Sequence, residues 1–198
     1  RGRMKVTTMH MPTKGIAVAA VSSATALALL GALPVAAGHE DGFQATGRPE
    51  ATNVYVGPDG PTRFTDKVTM TFTVKTDGNR ATVVRLNRPE GMATATFELE
   101  PGDSFPWHVH PGPVLVSVVG GGELSYVRAS DCEVRPYPAG TAFLEPGPVH
   151  TAFNQGTDTI TVVGTFFDVA PGEALATPVD LATQLRLDDK CNIRTVLP

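Results

Sequence analysis

Three of the five histidines in this 198-residue chain have the type and spacing of metal ligands. His108 and His110 stand one residue apart in "WHVH". Side chains alternate between the two faces of an extended strand, so both imidazoles share one face. His150 begins another β-rich stretch forty residues later. Neutral imidazoles bind divalent transition metals, and we therefore assign these three residues as the candidate metal ligands.

Other kinds of catalytic site find little support in the sequence. Because the three histidines are already assigned, the β-rich part of the chain has none left for a Ser-His-Asp or Cys-His arrangement. The stretch "VVGGGE" at 118–123 lacks the Lys-Ser/Thr pair of a phosphate-binding loop, and we interpret it as a turn. Catalytic residues, including a general base, are accordingly left unassigned.

The elements that must position the histidines are predicted to be short β-strands. From Asp66 onward, β-branched or aromatic segments are separated by Gly, Pro, Asn or Asp. A helical turn or two is expected only in residues 178–189, where it would pack on the outside of the strands. Such a pattern predicts an antiparallel sandwich or barrel. The nine predicted strands are "KVTMTFTV", "ATVVRL", "MATATFELE", "PVLVSVV", "ELSYVRA", "EVRPY", "TAFLE", "HTAFN" and "TITVVGTFFDV".

Residues 1–37 are expected to be a signal peptide that is removed on secretion to the cell envelope or the extracellular space. Four cationic residues precede or begin an uncharged stretch that breaks at Pro34 and ends in small residues. The alternative is an uncleaved membrane anchor, because residues 16–37 are just long enough to span a bilayer. The stretch is rich in Ala, Ser and Gly, which makes it a weak span and favours cleavage.

Removal of this segment would leave an acidic protein. Four of the 16 Lys and Arg residues and none of the 20 Asp and Glu residues lie in it, so the net charge would be 12 − 20 = −8. An acidic surface disfavours binding to nucleic acid and to anionic membranes, and we expect neither as a partner.

Cys132 and Cys191 are predicted to form a disulfide. Both fall in the exported part of the chain, where the oxidising environment favours the bond. A metal-binding pair or a catalytic thiol is the less favoured alternative, because the two residues lie far apart and neither has a Cys-x-x-Cys partner. The helical segment at 178–189 would bring Cys191 to Cys132.

The spacing around the three histidines resembles the two motifs of the cupins. The first cupin motif reads Gly, five residues, His-x-His, three or four residues, Glu, six residues, Gly, and "GDSFPWHVH" fits its opening. The second reads Gly, five residues, Pro-x-Gly, two residues, His, three residues, Asn, and "GTAFLEPGPVHTAFN" fits most of it. The chain is most similar to exported bacterial single-domain cupins with a "WHxHPGP" first motif.

The resemblance implies an all-β fold, an antiparallel cupin-type barrel or double-stranded jelly roll. It covers roughly residues 66–170, which leaves 38–65 as an N-terminal arm and 171–198 as a C-terminal tail packed on the barrel. The arm is rich in Gly and Pro and is expected to be either loose or ordered by contact. Aromatic strand residues should fill the barrel or line an apolar pocket: Phe105, Phe143, Phe153, Phe166 and Phe167.

One motif residue is missing. Where the first motif has its glutamate, this chain has Val114 or Leu115, and the turn before His150 is one residue shorter than the pattern. We therefore expect three histidines alone to hold the metal. Glu145 is the candidate fourth ligand, since a strand residue can face either way.

The resemblance implies one divalent metal ion (Fe, Zn, Ni, Cu or Mn) and a small-molecule ligand or substrate. An exported oxygenase or isomerase is one function that fits. A noncatalytic cupin that binds a metal or small ligand, and a metal-free structural barrel, are the alternatives left open. Exposed strand edges leave a homodimer open as well.

Overall fold

The structure is a computed structural model that describes residues 42–57, 60–75 and 81–197. The signal peptide expected in residues 1–37 lies outside the described residues. No helix within the described part is long and apolar enough to cross a membrane.

A six-stranded antiparallel sheet forms one wall of the barrel. Along its central strands every second residue is buried, as in β12, where Ile160, Val162, Gly164 and Phe166 face the core. The sheet runs in the order β1 (Glu50–Tyr55), β5 (Gly91–Leu99), β12 (Ile160–Phe167), β7 (Val114–Gly120) and β10 (Thr141–Glu145), with β2 (Thr62–Arg63) paired to β5.

A five-stranded antiparallel sheet forms the opposite wall. Its order is β13 (Thr177–Pro178), β6 (His108–Val109), β11 (His150–Phe153), β8 (Glu123–Arg128) and β9 (Val134–Pro138). Ala95 and Val116 of the first sheet share one apolar core with Leu124 and Ala152 of the second. These two facing sheets confirm the predicted all-β antiparallel fold.

One helix covers the outer face of the second sheet. Helix α1 (Leu181–Cys191) begins at Asp180, whose side chain accepts a hydrogen bond from the Thr183 amide, and ends at Asn192 in the left-handed conformation. Its inward residue Leu187 packs in a second apolar cluster with Trp107, Val127, Phe153 and Ile193. The helix is longer than the one or two turns predicted, and it carries Cys191 into the predicted disulfide with Cys132.

The described structure departs from the prediction at the N-terminal side of the barrel. Strands β3 (Thr69–Lys75) and β4 (Ala81–Asn87) pair only with each other, although the sequence placed them in the barrel. Their hairpin reaches the main sheet through Phe72, whose ring lies 5.5 Å from that of Phe167. The predicted arm instead contributes β1 and β2, because its backbone pairs with the edge of β5.

Candidate metal centre

The pairing of β6 with β11 in the second sheet brings the three histidines together. His150 at the start of β11 is the cross-strand partner of His108 in β6. Their ring centroids are 4.4 Å apart, and the ring of His110 lies 4.7 Å from that of His108 and 5.0 Å from that of His150. The rings of His108 and His110 lie on the same side of the chain, although β6 ends at Val109 and His110 follows it.

Backbone carbonyls fix the tautomer of all three rings. A carbonyl oxygen can only accept a hydrogen bond, so each Nδ1 atom must carry the proton and donate it. The neutral ring then presents its Nε2 lone pair to the inside of the barrel. The donor–acceptor pairs, at 2.6–2.7 Å, are His108 with Pro106, His110 with Leu175, and His150 with Pro148.

The three Nε2 atoms face one another as the ligands of one cation would. Those of His108 and His110 are 3.2 Å apart, and the three residues offer ligand atoms that all lie within 4.8 Å of one another. Two nitrogens that each lie about 2.1 Å from one ion are about 3.0–3.4 Å apart at tetrahedral or octahedral angles. The buried Nε2 of His150 has no hydrogen-bond partner among the described residues. The donor set therefore fits a divalent metal.

A carboxylate from the opposite sheet joins the histidines. The Oε2 atom of Glu145, the last residue of β10, lies 3.2 Å from the Nε2 atom of His110 and 3.3 Å from that of His150. Glu145 is only 5% exposed. The structure thus places the carboxylate of Glu145 within 3.3 Å of two of the three histidines.

Burial and charge set the protonation of these groups. Burial, with help from His150 and His110, lowers the pKa of His108 to about 3, so that ring is neutral at pH 7. Burial alone would raise the pKa of Glu145, but the imidazoles of His150 and His110 hold it below its ordinary value. Desolvation likewise opposes a charge on His150, yet the Glu145 carboxylate raises its pKa. The site therefore places the Glu145 anion beside the neutral imidazole of His108 and favours a proton on His150.

The remaining motif residues shape the loops around the site. Gly102 has φ +87°, and a Cβ there would lie 2.1 Å from the Oγ1 atom of Thr46. Buried Asn154 donates its side-chain amide to the carbonyls of Leu99 and Asp158, as expected for a residue that orders the backbone. The backbone amide of Gly102 donates to the Asn154 carbonyl, so the start of the first motif meets the end of the second.

No family model and no curated protein matches this chain. Solved structures that are similar to it include the polyketide cyclase RemF from Streptomyces resistomycificus, at 20% identity and a TM-score of 0.40, over 47% of this chain and 63% of the cyclase. A cupin-like protein from Thermotoga maritima matches at 20% identity and 0.41, over 50% of this chain and 71% of that protein. A cupin 2 domain-containing protein from Halorhodospira halophila matches at 19% identity and 0.39, over 71% of this chain and 89% of that one. At this identity the likeness concerns the fold alone.

A cavity of about 300 Å³ in the barrel leads to the four clustered side chains. His108, His110 and Glu145 are among its lining residues, and most of the rest of the wall is apolar. Of the five phenylalanines considered from the sequence, Phe105 and Phe166 line this cavity. The other three pack elsewhere: Phe143 stacks on Tyr137, Phe153 on Phe43, and Phe167 contacts Phe72.

A second, more open groove of about 660 Å³ lies beside the disulfide. It is lined by residues such as Phe43, Val134 and Gln155, and the described residues that line it include no group that titrates, since Cys191 is oxidised. Two further strand carboxylates, Glu98 and Glu123, are exposed and do not line the barrel cavity.

Sequence reasoning missed two contributors to the site. The Leu175 carbonyl, which orients His110, comes from the C-terminal tail, and Arg48 of the N-terminal arm lines the cavity. Neither segment carries a motif. An arginine between Gly47 and Pro49 in an arm rich in Gly and Pro was the only available signal for Arg48.

Proposed function

We propose that the protein is an exported single-domain cupin that binds one divalent metal ion through His108, His110, His150 and Glu145. The metal would act on a small molecule held in the adjoining cavity. Three Nδ1–H groups held by carbonyls, with their Nε2 atoms converging, are the observation that carries this proposal.

The chain's own residues would do the positioning. His108 lies on β6, His110 directly after it and His150 on the neighbouring strand, while Glu145 adds one negative charge from the opposite sheet. Imidazole and carboxylate ligands suit Fe(II), Zn(II), Ni(II), Cu(II) and Mn(II), and a bound ion of this kind acts as a Lewis acid toward an oxygen-bearing substrate. The apolar wall would exclude water from the reacting end of the substrate.

Export is part of the same proposal. It is supported by the disulfide between Cys132 and Cys191, since such bonds persist in oxidising compartments. The N-terminal cationic and apolar stretch supports it as well.

Metal content tests the proposal directly. The purified protein would be incubated in turn with each of the five metals and then desalted. It is expected to retain about one metal ion per chain, as measured by elemental mass spectrometry. His108→Ala and His150→Ala are expected to lose it, and bound metal should raise the unfolding temperature of the wild type alone. Glu123→Gln, an exposed carboxylate on β8, is the control that should behave as wild type. A wild type that retains no more of any metal than the two histidine variants would refute the proposal.

A noncatalytic metal or ligand carrier is the second candidate. One observation favours it: among the described residues that line the cavity, no acid or base remains beyond the metal-binding set and Arg48. Oxygen uptake and isomerisation assays of the metal-loaded protein with enediols, flavonols and thiols would separate the two candidates. Turnover that disappears in His150→Ala would establish the enzyme, whereas binding of these compounds without turnover would favour the carrier.

A further inference from the structure

The cavity above the metal-binding side chains has a second polar end. Arg48 is exposed to solvent and lines the cavity, whereas His108 is 6% exposed. Arg48 is also the one cationic side chain among the described residues that line it. The cavity therefore has a permanent positive charge at its solvent end and the four clustered groups at its buried end.

The wall between these two ends is apolar. It is formed by side chains from both sheets, among them Phe97, Phe105, Val116, Leu124 and Phe166. A sugar or a nucleotide would leave hydroxyl or phosphate groups without partners against such a wall, at a cost in binding free energy. The body of a ligand that fits must be apolar, and about 300 Å³ is the lower end of the range for small-molecule cavities.

Contacts on both sides hold Arg48 in place. Pro49 beside it is buried, and β1 begins at Glu50, paired with β5. The guanidinium donates from Nη2 to the carbonyl of Leu197 in the C-terminal tail. A guanidinium has five N–H donors in a planar fork, so this bond uses one of them and leaves the others for a ligand.

We infer that the cavity binds a small monocarboxylate with a largely apolar body, with its carboxylate on Arg48 and its body along the apolar wall, so that the far end of the ligand reaches the metal-binding side chains. A planar guanidinium matches a carboxylate through paired hydrogen bonds. Residues 38–198 carry a net charge of −8, so the single cation at the entrance would be the group that admits an anion. The inference rests on the proposed function, since it assigns the metal-binding side chains to the far end of the ligand.

Calorimetric titration with cinnamate, cinnamamide and hexanoate tests the inference, in zinc-loaded and in chelator-treated protein. Cinnamate is expected to bind more tightly than cinnamamide in both states, because Arg48 does not depend on the metal. Arg48→Met should weaken the binding of cinnamate roughly 10- to 100-fold, as expected for the loss of hydrogen bonds to a charged group. The affinity for cinnamamide should not change. Arg48→Lys should keep part of the preference for the acid.

Arg63→Met is the matched control, since Arg63 is exposed on β2 and does not line the cavity. This substitution should change the affinity for neither cinnamate nor cinnamamide. Equal affinity of the wild type for cinnamate and cinnamamide would overturn the inference, and so would the failure of both acids to bind. Cinnamate binding that requires zinc and ignores Arg48→Met would place the carboxylate on the metal and overturn the role of Arg48. Absence of zinc binding would instead defeat the proposed function, while the comparison in chelator-treated protein would still decide the role of Arg48.

Discussion

Glu145 is the antiparallel register partner of Val114. Val114 is one of the two positions at which the first cupin motif would place its glutamate, and side chains directly opposite each other in an antiparallel pair lie on the same face. The carboxylate missing from β7 is therefore supplied at the same place by β10. The anion of the site is kept although the motif that normally carries it is broken.

Exchange of this carboxylate for an amide should weaken the metal site without unfolding the barrel. Glu145→Gln keeps the shape of the side chain but removes the charge that faces His110 and His150. Metal affinity should fall by more than the roughly 10- to 100-fold loss typical when a group outside the ligand set is removed. Competition titration with a chromogenic chelator would measure the change.

The double variant Val114→Glu with Glu145→Val completes this test. It returns the carboxylate to the motif position and is expected to recover metal affinity relative to Glu145→Gln. Glu123→Gln, on the exposed face of β8, should leave affinity unchanged. If Glu145→Gln bound metal as tightly as the wild type, the three histidines would be the whole site.

The local part of the site could be predicted from sequence, and the nonlocal part could not. Alternation along a strand is a local property, so it placed His108 and His110 on one face correctly. Which way Glu145 points depends on the register between β10 and β7, which the residues of β10 alone do not reveal. The pairing of Glu145 with the buried Val114 shows that the Glu145 side chain faces the inside of the barrel.

Two elements of the fold also depend on nonlocal contacts that the local sequence does not reveal. Strand β1 is exposed along its whole length and has no apolar alternation, since it is held by backbone pairing with β5. Helix α1 leaves Leu181 and Leu185 50% and 48% exposed, and it buries Gln184 and Asp188 together with Leu187. Hydrogen bonds to distant residues compensate for that burial, and no hydropathy pattern encodes them.

Loss of the disulfide should lower stability by a large amount. Cys132 and Cys191 are 59 residues apart, and the chain-entropy model gives about 4 kcal/mol for closing a loop of that length. The Cys132→Ser and Cys191→Ser double variant should therefore show a free energy of unfolding lower by about that amount in urea titrations. A decrease below about 1 kcal/mol would mean that contacts of α1 already restrict the reduced chain.

Removal of the Asp188 carboxylate should also destabilise the fold. Asp188 is 2% exposed and accepts hydrogen bonds from the indole of Trp107 at 2.8 Å and from the amide and hydroxyl of Thr195 at 3.1 and 2.9 Å. Asp188→Ala would leave buried donors unpaired, at a cost of about 3 kcal/mol or more. Chemical denaturation would measure this loss in the free energy of unfolding.

The neighbouring residue provides the control for this prediction. Asp189 is 74% exposed at its side chain and pairs with Arg194 on the surface, so Asp189→Ala should change stability by no more than about 0.5 kcal/mol. Equal effects of the two substitutions would show that the helix responds to charge at its C-terminal end and not to the buried hydrogen bonds.

The ion pair beside the disulfide should make stability depend on pH in the acid range. Both oxygens of Asp131 accept hydrogen bonds from Arg135 at 3.1 Å. Partial desolvation opposes the charge, but these bonds hold the pKa of Asp131 below its ordinary value. A carboxyl whose pKa is lower in the folded state stabilises the fold above its unfolded pKa of about 3.9, and this contribution is lost as the pH falls further.

Asp131→Asn should therefore lower the free energy of unfolding at pH 7 by less than about 1 kcal/mol, because the pair is partly exposed. The difference from wild type should shrink between pH 4 and pH 2, where the wild-type carboxyl takes up its proton. Urea titrations of the variant and the wild type at pH 7, 4 and 3 would measure this difference. A difference that grows toward acid would mean that Asp131 is held in its protonated form.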